Sequence, residues 1–345
     1  MREIKDIFDC SQAPFVIAEV GLGHDGSLGL AHAFIDAVSR TGVDAIKYQT
    51  HIAEAESSPL ESFRVPFSKA DVSRYDYWKR TAFTEAQWAD LKAHAESKSL
   101  VFLSSPFSLE AVELLDRVGV AAWKVPSGEI GSRRMLERMA RTGRPLLVST
   151  GMSSYSDVDA LVKLLEELCP RKYAIFQCTT QYPTSPDIVG MNVLDEYMRR
   201  YGCPVGLSDH SGTIFPSLIA SWNGARLIEV HVTLSRDMFG PDVSSSLTAD
   251  QLTLLIEGIR FVRSMRSNPV VKDAMAVKKE DLRRLFGKSA VATRGLEVGD
   301  VVSEQDVTFR KPGHGVSELA FDAYLGRRLK RQITAGKFFQ EEDFE

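Results

Sequence analysis

The stretch AIKYQT, residues 45–50, is a short apolar run that ends on polar side chains, and the chain repeats this pattern between Phe15 and His231. The other runs are FVIAE (15–19), LVFLSS (100–105), AAWKVPS (121–127), PLLVST (145–150), YAIFQCT (173–179), PVGLSDH (204–210) and RLIEVH (226–231). Stretches with helical spacing of apolar residues separate the runs. Eight alternating strand–helix units predict a parallel sheet closed into a (β/α)₈ (TIM) barrel. In that fold the reactive side chains lie at the carboxyl ends of the strands.

The composition is that of an ordinary globular protein, with 345 residues of which 44% are hydrophobic and 26% charged. The net charge of −4, without a long basic run, argues against nucleic-acid and anionic-membrane partners. The N-terminus lacks an apolar core of signal-peptide length, and no stretch approaches the roughly 18 apolar residues of a membrane span. We therefore expect a soluble, cytoplasmic enzyme. The four cysteines lack CxxC spacing and are interpreted as reduced core thiols.

The pattern of runs divides the chain into three parts. Residues 1–265 form the predicted barrel domain, residues 266–287 a linker, and residues 288–345 a small module of short β-like runs punctuated by glycines. A module of this size buries little core alone, so we expect it to dock on something larger. The longest connection inside the barrel, from about residue 50 to residue 100, leaves the catalytic end of the second strand. Long loops in compact domains are often functional, so we expect this one to cover the substrate.

His210 and His231 end the seventh and eighth runs, one βα unit apart. Neighbouring barrel strands bring such side chains close enough to share an ion, and two neutral imidazoles suit a divalent transition metal. With only two obvious protein ligands, water and substrate oxygens would complete the shell, as in a catalytic rather than a structural site. Such an ion can polarise a carbonyl group. The alternative is that each histidine is simply a hydrogen-bonded polar residue.

Lys47 and Lys124 end the second and fourth runs and predict an anion-binding site for carboxylate or phosphate at the barrel mouth. Hydroxyl side chains of a size to bind phosphate oxygens end other runs; they are Ser105, Ser127, Ser149 and Ser208. Each serine taken alone is better explained as a strand-end cap, and it is their recurrence around one rim that indicates an anion site. A competing interpretation makes Lys124 a Schiff-base nucleophile, as in lysine-dependent aldolases.

Glu19 ends the first run inside a mostly apolar stretch, where an unpartnered carboxylate would be costly. Lys47 on the next strand could partner it. Glu19 is then either half of a structural ion pair or an acid, a base or an orienter of water or substrate. Glu129 and Asp242 lie just beyond the fourth and eighth runs, where they could bind sugar hydroxyls.

Taken together, these strings resemble the N-acetylneuraminate (sialic acid) synthase family. The matching segments are IAEVGLGHDGS, DAIKYQTH, FLSSPFS, WKVPSGE, LLVSTGM, QCTTQYPTSP, GLSDHSG, EVHVTL and FGPD. The stretch from FGKSAVATRG onward resembles the β-clip antifreeze-like (SAF) domain of that family. The resemblance implies condensation of phosphoenolpyruvate with an N-acylated hexosamine-type aldehyde, giving a nine-carbon 3-deoxy-2-keto acid. It also implies a Mn²⁺ or Mg²⁺ requirement and a domain-swapped homodimer in which each SAF domain caps the partner's barrel.

The resemblance also assigns roles to individual residues. His210 and His231 match the metal ligands, and Glu19 matches the active-site carboxylate of the first strand. The phosphoenolpyruvate contacts are matched by Lys47, Ser105, Lys124, Ser127, Ser149 and Ser208. The sugar contacts are matched by Gln49, Glu129, Tyr182 and Asp242.

Other sugar-facing positions depart from the family pattern. Lys69 and Thr180 stand where asparagine is usual, and Lys311, next to Arg310, stands where the SAF domain usually has arginine. Because the metal and phosphoenolpyruvate residues are kept while these change, we expect an acceptor other than N-acetylmannosamine, such as a 6-deoxy diacetamido precursor of legionaminic or pseudaminic acid. Two alternatives remain at this point: a Schiff-base aldolase or lyase that uses Lys124, and a sugar-binding homologue without turnover.

Overall fold

The computed structural model describes residues 3–9, 12–63, 67–68 and 70–345. Its first part is a parallel barrel whose strands follow one another around the sheet in the order β3-β2-β1-β8-β7-β6-β5-β4. The strands are β1 (Phe15–Gly21), β2 (Ala45–Thr50), β3 (Val101–Pro106), β4 (Trp123–Val125), β5 (Leu146–Ser149), β6 (Tyr173–Cys178), β7 (Val205–Asp209) and β8 (Leu227–Val232). The predicted eight-stranded barrel is thus confirmed. Within the described residues no ladder joins β3 to β4, although their Cα atoms come within 8 Å, so the barrel is nearly closed.

The strand register brings the polar ends of the runs to one rim. Glu19 on β1 lies beside Lys47 on β2 and, on its other side, beside His231 on β8. Ser208 on β7 lies beside Glu229 on β8. Because all strands are parallel, their carboxyl ends open onto the same face, and the polar side chains cluster there. The apolar residues of the runs are buried between the strands and the surrounding helices.

Helices follow the strands as the spacing predicts. Those of the barrel part are α1 (Leu28–Ser39), α2 (Ala53–Glu56), α3 (Arg74–Thr81), α4 (Glu85–Ser97), α5 (Leu109–Val118), α6 (Arg133–Ala140), α7 (Tyr155–Leu168), α8 (Met191–Arg200), α9 (Phe215–Asn223) and α10 (Ala249–Ser267). Side chains of Ser27, Thr84, Ser108 and Ser154 cap the amino ends of α1, α4, α5 and α7. A two-residue strand, β9 (Ser246–Leu247), extends the sheet beside β8.

The connection between β2 and α4, residues 51–84, is called the cover segment below. Its sequence showed no clear period, yet it contains the two helices α2 and α3. It also forms a small apolar cluster of its own, in which Tyr77 and Trp78 of α3 pack with Leu22 and Ala53. The described residues of the cover segment, 51–63, 67–68 and 70–84, are therefore held largely by aromatic packing.

The chain divides into two compact units, Met1–Ser267 and Asn268–Glu345. The second unit begins with two short helices, α11 (Lys272–Lys278) and α12 (Glu280–Phe286), followed by an antiparallel pair, β10 (Ser289–Ala292) and β11 (Val307–Arg310), and by α13 (Glu318–Phe321). Its core contains buried Leu296, Val302, Phe321, Leu329 and Phe339. No helix among the described residues is long and apolar enough to cross a membrane.

Candidate active site

The floor of the site is a small cavity of about 60 Å³ at the carboxyl ends of the barrel strands. The polar residues that line it come from all eight strands or the turns that follow them: Glu19, Lys47, Gln49, Ser105, Lys124, Ser127, Ser149, Cys178, Ser208, His210, Glu229 and His231, with Tyr182 from a loop. All the predicted phosphoenolpyruvate-contact residues therefore share one cavity. The parallel barrel explains this, because it brings residues up to 212 positions apart in sequence to a common rim (Glu19 to His231).

Two buried lysines and two buried carboxylates form an alternating cluster in this floor. Lys47 pairs with Glu19, as the sequence suggested, and its Nζ lies 3.8 Å from Oε1 of Glu229. The same Glu229 oxygen is 3.4 Å from Nζ of Lys124. All four side chains are at most 5% exposed. Burial without pairing would be very costly for these charges, so each depends on its neighbours.

The pKa values of the four groups in this cluster are shifted in different directions. Burial raises the pKa of Glu19 to about 7, although Lys47 opposes this shift. Burial also disfavours the ionised form of Glu229, but Lys124 and Lys47 outweigh it and hold the pKa of Glu229 below its usual value. For Lys47 the nearby carboxylates overcome burial and raise its pKa, whereas burial lowers the pKa of Lys124. Glu19 is thus the carboxyl group best suited to exchange a proton near neutral pH.

Serine hydroxyls accept hydrogen bonds from both lysines. Lys47 donates to Ser105 at 3.2 Å, and Lys124 donates to Ser149 at 2.7 Å. Ser208 donates to Glu229 at 3.3 Å. Ser127, in the turn after β4, accepts a hydrogen bond from the backbone N–H of Gly151. An anion placed among these groups would meet ammonium and hydroxyl donors that are already fixed in position.

His210 and His231 lie together at the ends of β7 and β8, with ring centroids 5.2 Å apart. Nδ1 of His210 faces the carbonyl oxygen of Thr179 at 2.9 Å, so this nitrogen carries the hydrogen and Nε2 has the lone pair. The Tyr182 hydroxyl lies 3.1 Å from that Nε2. Burial and the neighbouring His231 lower the pKa of His210 to about 3, which keeps it neutral.

These features fit a metal ion bound at an open site. A neutral imidazole with its outer nitrogen directed to a carbonyl is the usual state of a metal-binding histidine. The carboxylate of Asp242 lies 3.9 Å from Nδ1 of His231, so it would offer an oxygen ligand to an ion held by the two histidines. The described part of the chain contains no group of three or more His, Cys, Asp or Glu residues arranged to hold an ion.

Above the floor lies a larger cavity of about 480 Å³ that shares Gln49, Ser127, Tyr182 and His231 with it. Predicted sugar contacts line this outer cavity: Gln49, Glu129, Thr180, Tyr182 and Asp242. The cover segment contributes much of the wall, as does Phe107 after β3. Lys69 lies outside the described residues. Arg310 and Lys311 are exposed residues at the end of β11 in the second unit, where Nζ of Lys311 lies 5.6 Å above the Phe286 ring.

Several residues of the site were absent from the predicted set. Glu229 connects both lysines, and its signal was present in RLIEVH, where residues 229 and 231 point to the same face of the strand. Cys178, interpreted as a core thiol, lines the floor cavity. The aromatic wall of the outer cavity includes Phe63, Phe67 and Trp78. No short-range pattern marked these residues, because they belong to a segment without a clear period.

Both units of the chain are similar to known proteins. Residues 34–270 match the model of the NeuB family, and residues 287–345 match that of the SAF domain. An N,N'-diacetyllegionaminic acid synthase of Campylobacter jejuni is 29% identical over 94% of this chain and 98% of its own length. Human N-acetylneuraminate-9-phosphate synthase is 30% identical over 86% of this chain and 82% of its own. A crystal structure of N-acetylneuraminic acid synthetase from Leptospira borgpetersenii, in complex with citrate, superimposes with a TM-score of 0.68 at 26% identity, covering 79% of this chain and 94% of that one.

Proposed function

Because the chain belongs to the NeuB family and carries a SAF domain after its barrel, we propose that it is a nonulosonic acid synthase, a transferase that forms a carbon–carbon bond. Phosphoenolpyruvate, an N-acyl hexosamine-type aldehyde and water would give a nine-carbon 3-deoxy-2-keto acid and phosphate. The observation that supports this most directly is the floor cavity, where two buried lysines and four serines surround one space beside a histidine pair. That set of groups suits a small, highly charged anion next to an electrophile.

In the proposed reaction the floor holds phosphoenolpyruvate. Lys47 and Lys124 would neutralise its phosphate and carboxylate, while the hydroxyls of Ser105 and Ser149, which accept from these lysines, would donate to its oxygen atoms. Ser208 would turn its hydroxyl from Glu229 to do the same. C3 of phosphoenolpyruvate attacks the aldehyde carbon, water adds at C2, and phosphate leaves with cleavage of the C–O bond. The preformed contacts mean that little reorganisation is needed when charge moves between these groups.

The remaining groups of the floor have separate proposed tasks. His210 and His231 would hold Mn²⁺ or Mg²⁺, which when bound supplies Lewis-acid polarisation of the aldehyde oxygen. Glu19, with its pKa near neutrality, would orient the water that adds at C2 and accept its proton at a carboxylate oxygen. Tyr182, now hydrogen-bonded to His210, would turn to the sugar once the histidine binds the ion.

The outer cavity supports an acceptor with apolar substituents. Aromatic rings of Phe63, Phe67, Trp78 and Phe107 line one side of it. Methyl groups of acetamido and 6-deoxy positions would pack on such rings, whereas a phosphate or a free hydroxymethyl group would gain less from them. We therefore favour a 6-deoxy diacetamido hexose over N-acetylmannosamine. The name of the Campylobacter relative is consistent with this preference.

The surface of the barrel supports a proposed homodimer. The neighbouring helices α9 and α10 expose an apolar stripe, made of Phe215, Ile219, Trp222, Leu254, Phe261 and Met265. These residues recur at helical spacing on one face of each helix, and a contiguous exposed patch of this kind marks an interaction site. In the domain-swapped arrangement proposed for the family, the partner's SAF domain would bring its Arg310 and Lys311 to the sugar. The proposed location is the cytoplasm.

Lys124 also favours a second candidate, a Schiff-base aldolase or lyase, because burial lowers the pKa of its amine. Borohydride added with a keto acid substrate distinguishes the two. Covalent labelling of Lys124 would support the aldolase, and no labelling, together with inhibition by a chelator that Mn²⁺ reverses, would support the synthase.

Phosphate release tests the main proposal. The purified chain is incubated with phosphoenolpyruvate, Mn²⁺ and a panel of amino-hexoses that includes N-acetylmannosamine, its 6-phosphate and the 6-deoxy diacetamido sugars. We expect release with the diacetamido sugars. Preference for N-acetylmannosamine would contradict the proposed acceptor. If no sugar in the panel causes phosphate release, a sugar-binding protein without turnover becomes the better interpretation.

A further inference from the structure

His51, the residue that follows β2, is held between two aromatic rings. Its imidazole stacks on Trp78 with a centroid distance of 3.8 Å and an interplanar angle of 5°, and on Phe107 at 4.1 Å and 18°. The three residues come from the end of β2, from α3 of the cover segment and from the turn after β3. The ring is buried, so its orientation is determined by this packing.

Both nitrogens of the His51 ring face acceptor oxygens. Nδ1 contacts the carboxylate of Glu56 at the end of α2, and Nε2 lies 3.3 Å from the amide oxygen of Gln49. The other oxygen of Glu56 accepts a hydrogen bond from the backbone N–H of Ile52. Both ring nitrogens are thus placed opposite oxygen atoms, and a hydrogen on Nε2 is directed at the amide oxygen of Gln49. The Glu56–His51 pair is in this way arranged to present an N–H group to Gln49.

Gln49 continues this chain of contacts into the floor cavity. Its side-chain amide nitrogen donates to Oε1 of Glu19 at 2.9 Å. Gly21 lies beside these groups with φ +57°, and an added Cβ would sit within 3.6 Å of the side chains of Gln49, Glu19 and Asp242. Contacts at these distances are ordinary van der Waals contacts, so it is the left-handed φ that favours glycine at position 21.

We infer that His51 and Glu56 are positioning residues that fix the carboxamide of Gln49 for catalysis. With its oxygen engaged by His51 and one N–H by Glu19, Gln49 offers the cavity only its second N–H. It can then donate to an oxygen of the acceptor sugar. Without His51 the amide could turn over, which would place its oxygen against the Glu19 carboxylate and remove a donor from the substrate. The inference rests on the proposed synthase function.

The test separates this polar role from packing. His51→Phe keeps an aromatic ring between Trp78 and Phe107 but removes both polar contacts. We expect kcat to fall roughly 10-fold, the size of effect found for residues that orient a group in contact with substrate, while KM for phosphoenolpyruvate stays within about 2-fold because the lysine contacts are untouched. Glu56→Ala should also lower kcat, as His51→Phe does. Glu54→Ala is the matched control: Glu54 lies in the same helix but forms an exposed pair with Lys79 at 3.1 Å, so kcat should not change.

A double-mutant cycle with Gln49→Ala decides whether His51 acts through Gln49. If it does, His51→Phe adds no further loss in the Gln49→Ala background. Losses that multiply, or a His51→Phe enzyme with the kcat of the wild type, would overturn the inference. Failure of the proposed function looks different, because the wild-type enzyme would then release no phosphate with any sugar.

A second measurement does not depend on activity. In NMR spectra of the intact protein, the side-chain amide protons of Gln49 should exchange slowly with water and should lose this protection in His51→Phe. Equal exchange rates in the two proteins would refute the positioning role even if the enzyme proves inactive.

Discussion

Glu229→Gln is the substitution whose effect follows most directly from the structure. Glu229 lies between the two buried lysines, with Oε1 3.4 Å from Nζ of Lys124 and 3.8 Å from Nζ of Lys47. The glutamine keeps the size of the side chain and its hydrogen bond with Ser208 but removes the negative charge. Two buried ammonium groups would then share the single carboxylate of Glu19.

The expected cost is large. At an effective dielectric constant of about 20, each of these separations corresponds to about 4 to 5 kcal/mol of attraction. Relief of the desolvation of Glu229 offsets part of this, and removal of one partner from a buried ion pair typically destabilises a protein by about 3 to 5 kcal/mol. For a unit of this size, such a loss lowers the melting temperature by on the order of 10 °C.

Tryptophan fluorescence during urea unfolding provides the assay. The four tryptophans, Trp78, Trp88, Trp123 and Trp222, all lie in the unit that contains the site, so the signal reports on the barrel alone. Glu96→Gln is the matched control, because Glu96 pairs with Lys92 at 3.2 Å on the surface, where such pairs contribute roughly 0 to 1 kcal/mol.

The effect of an added anion on the melting temperature provides a second test of this prediction. Phosphate or phosphoenolpyruvate returns negative charge to the floor, so each should raise the melting temperature of Glu229→Gln more than that of the wild type. A variant that unfolds within about 1 kcal/mol of the wild type in anion-free buffer, as the surface control should, would show that the two lysines do not depend on Glu229 and would refute the argument.

Three further predictions follow from the same geometry. His231→Ala should abolish phosphate release and weaken Mn²⁺ binding measured by calorimetry; undiminished release would remove the metal argument. Trp222→Glu should convert a dimer into a monomer in sedimentation experiments without a loss of barrel stability, since Trp222 is 52% exposed; a monomeric wild type would contradict the proposed dimer. The pKa of Glu19 is raised from its ordinary value of 4.5 to about 7 in the folded state, so the folded protein holds a proton that the unfolded chain releases between these pH values. The free energy of unfolding of the wild type therefore decreases as pH rises from 4.5 to 7, by up to about 1.4 kcal/mol per pH unit. Glu19→Gln lacks this titrating group. Its stability relative to the wild type should therefore rise over that interval and not beyond it.

Much of the architecture was readable from the sequence because barrel strands and helices leave a local periodic signal. α5 (Leu109–Val118) and α7 (Tyr155–Leu168) lie in stretches between the runs where apolar residues recur at helical spacing. The cover segment had no such signal, since α2 and α3 are stabilised by aromatic packing with distant residues rather than by a regular apolar stripe. Helices α11 and α12, with which the second unit begins, lie within residues 266–287, where the sequence pattern predicts a linker without a strand signal.

The sequence by itself determined which polar side chains end the strands, and a parallel barrel then requires them to share one face. Lys47, Lys124 and the histidine pair were identifiable for this reason. Only the tertiary structure decided how these groups pair: Glu229 between two lysines, the Tyr182 hydroxyl on His210, and His51 between Trp78 and Phe107. The physical reason is that each of these contacts joins residues from different strands or loops. Their distances depend on strand register and on the packing of the cover segment, and no local sequence pattern encodes either.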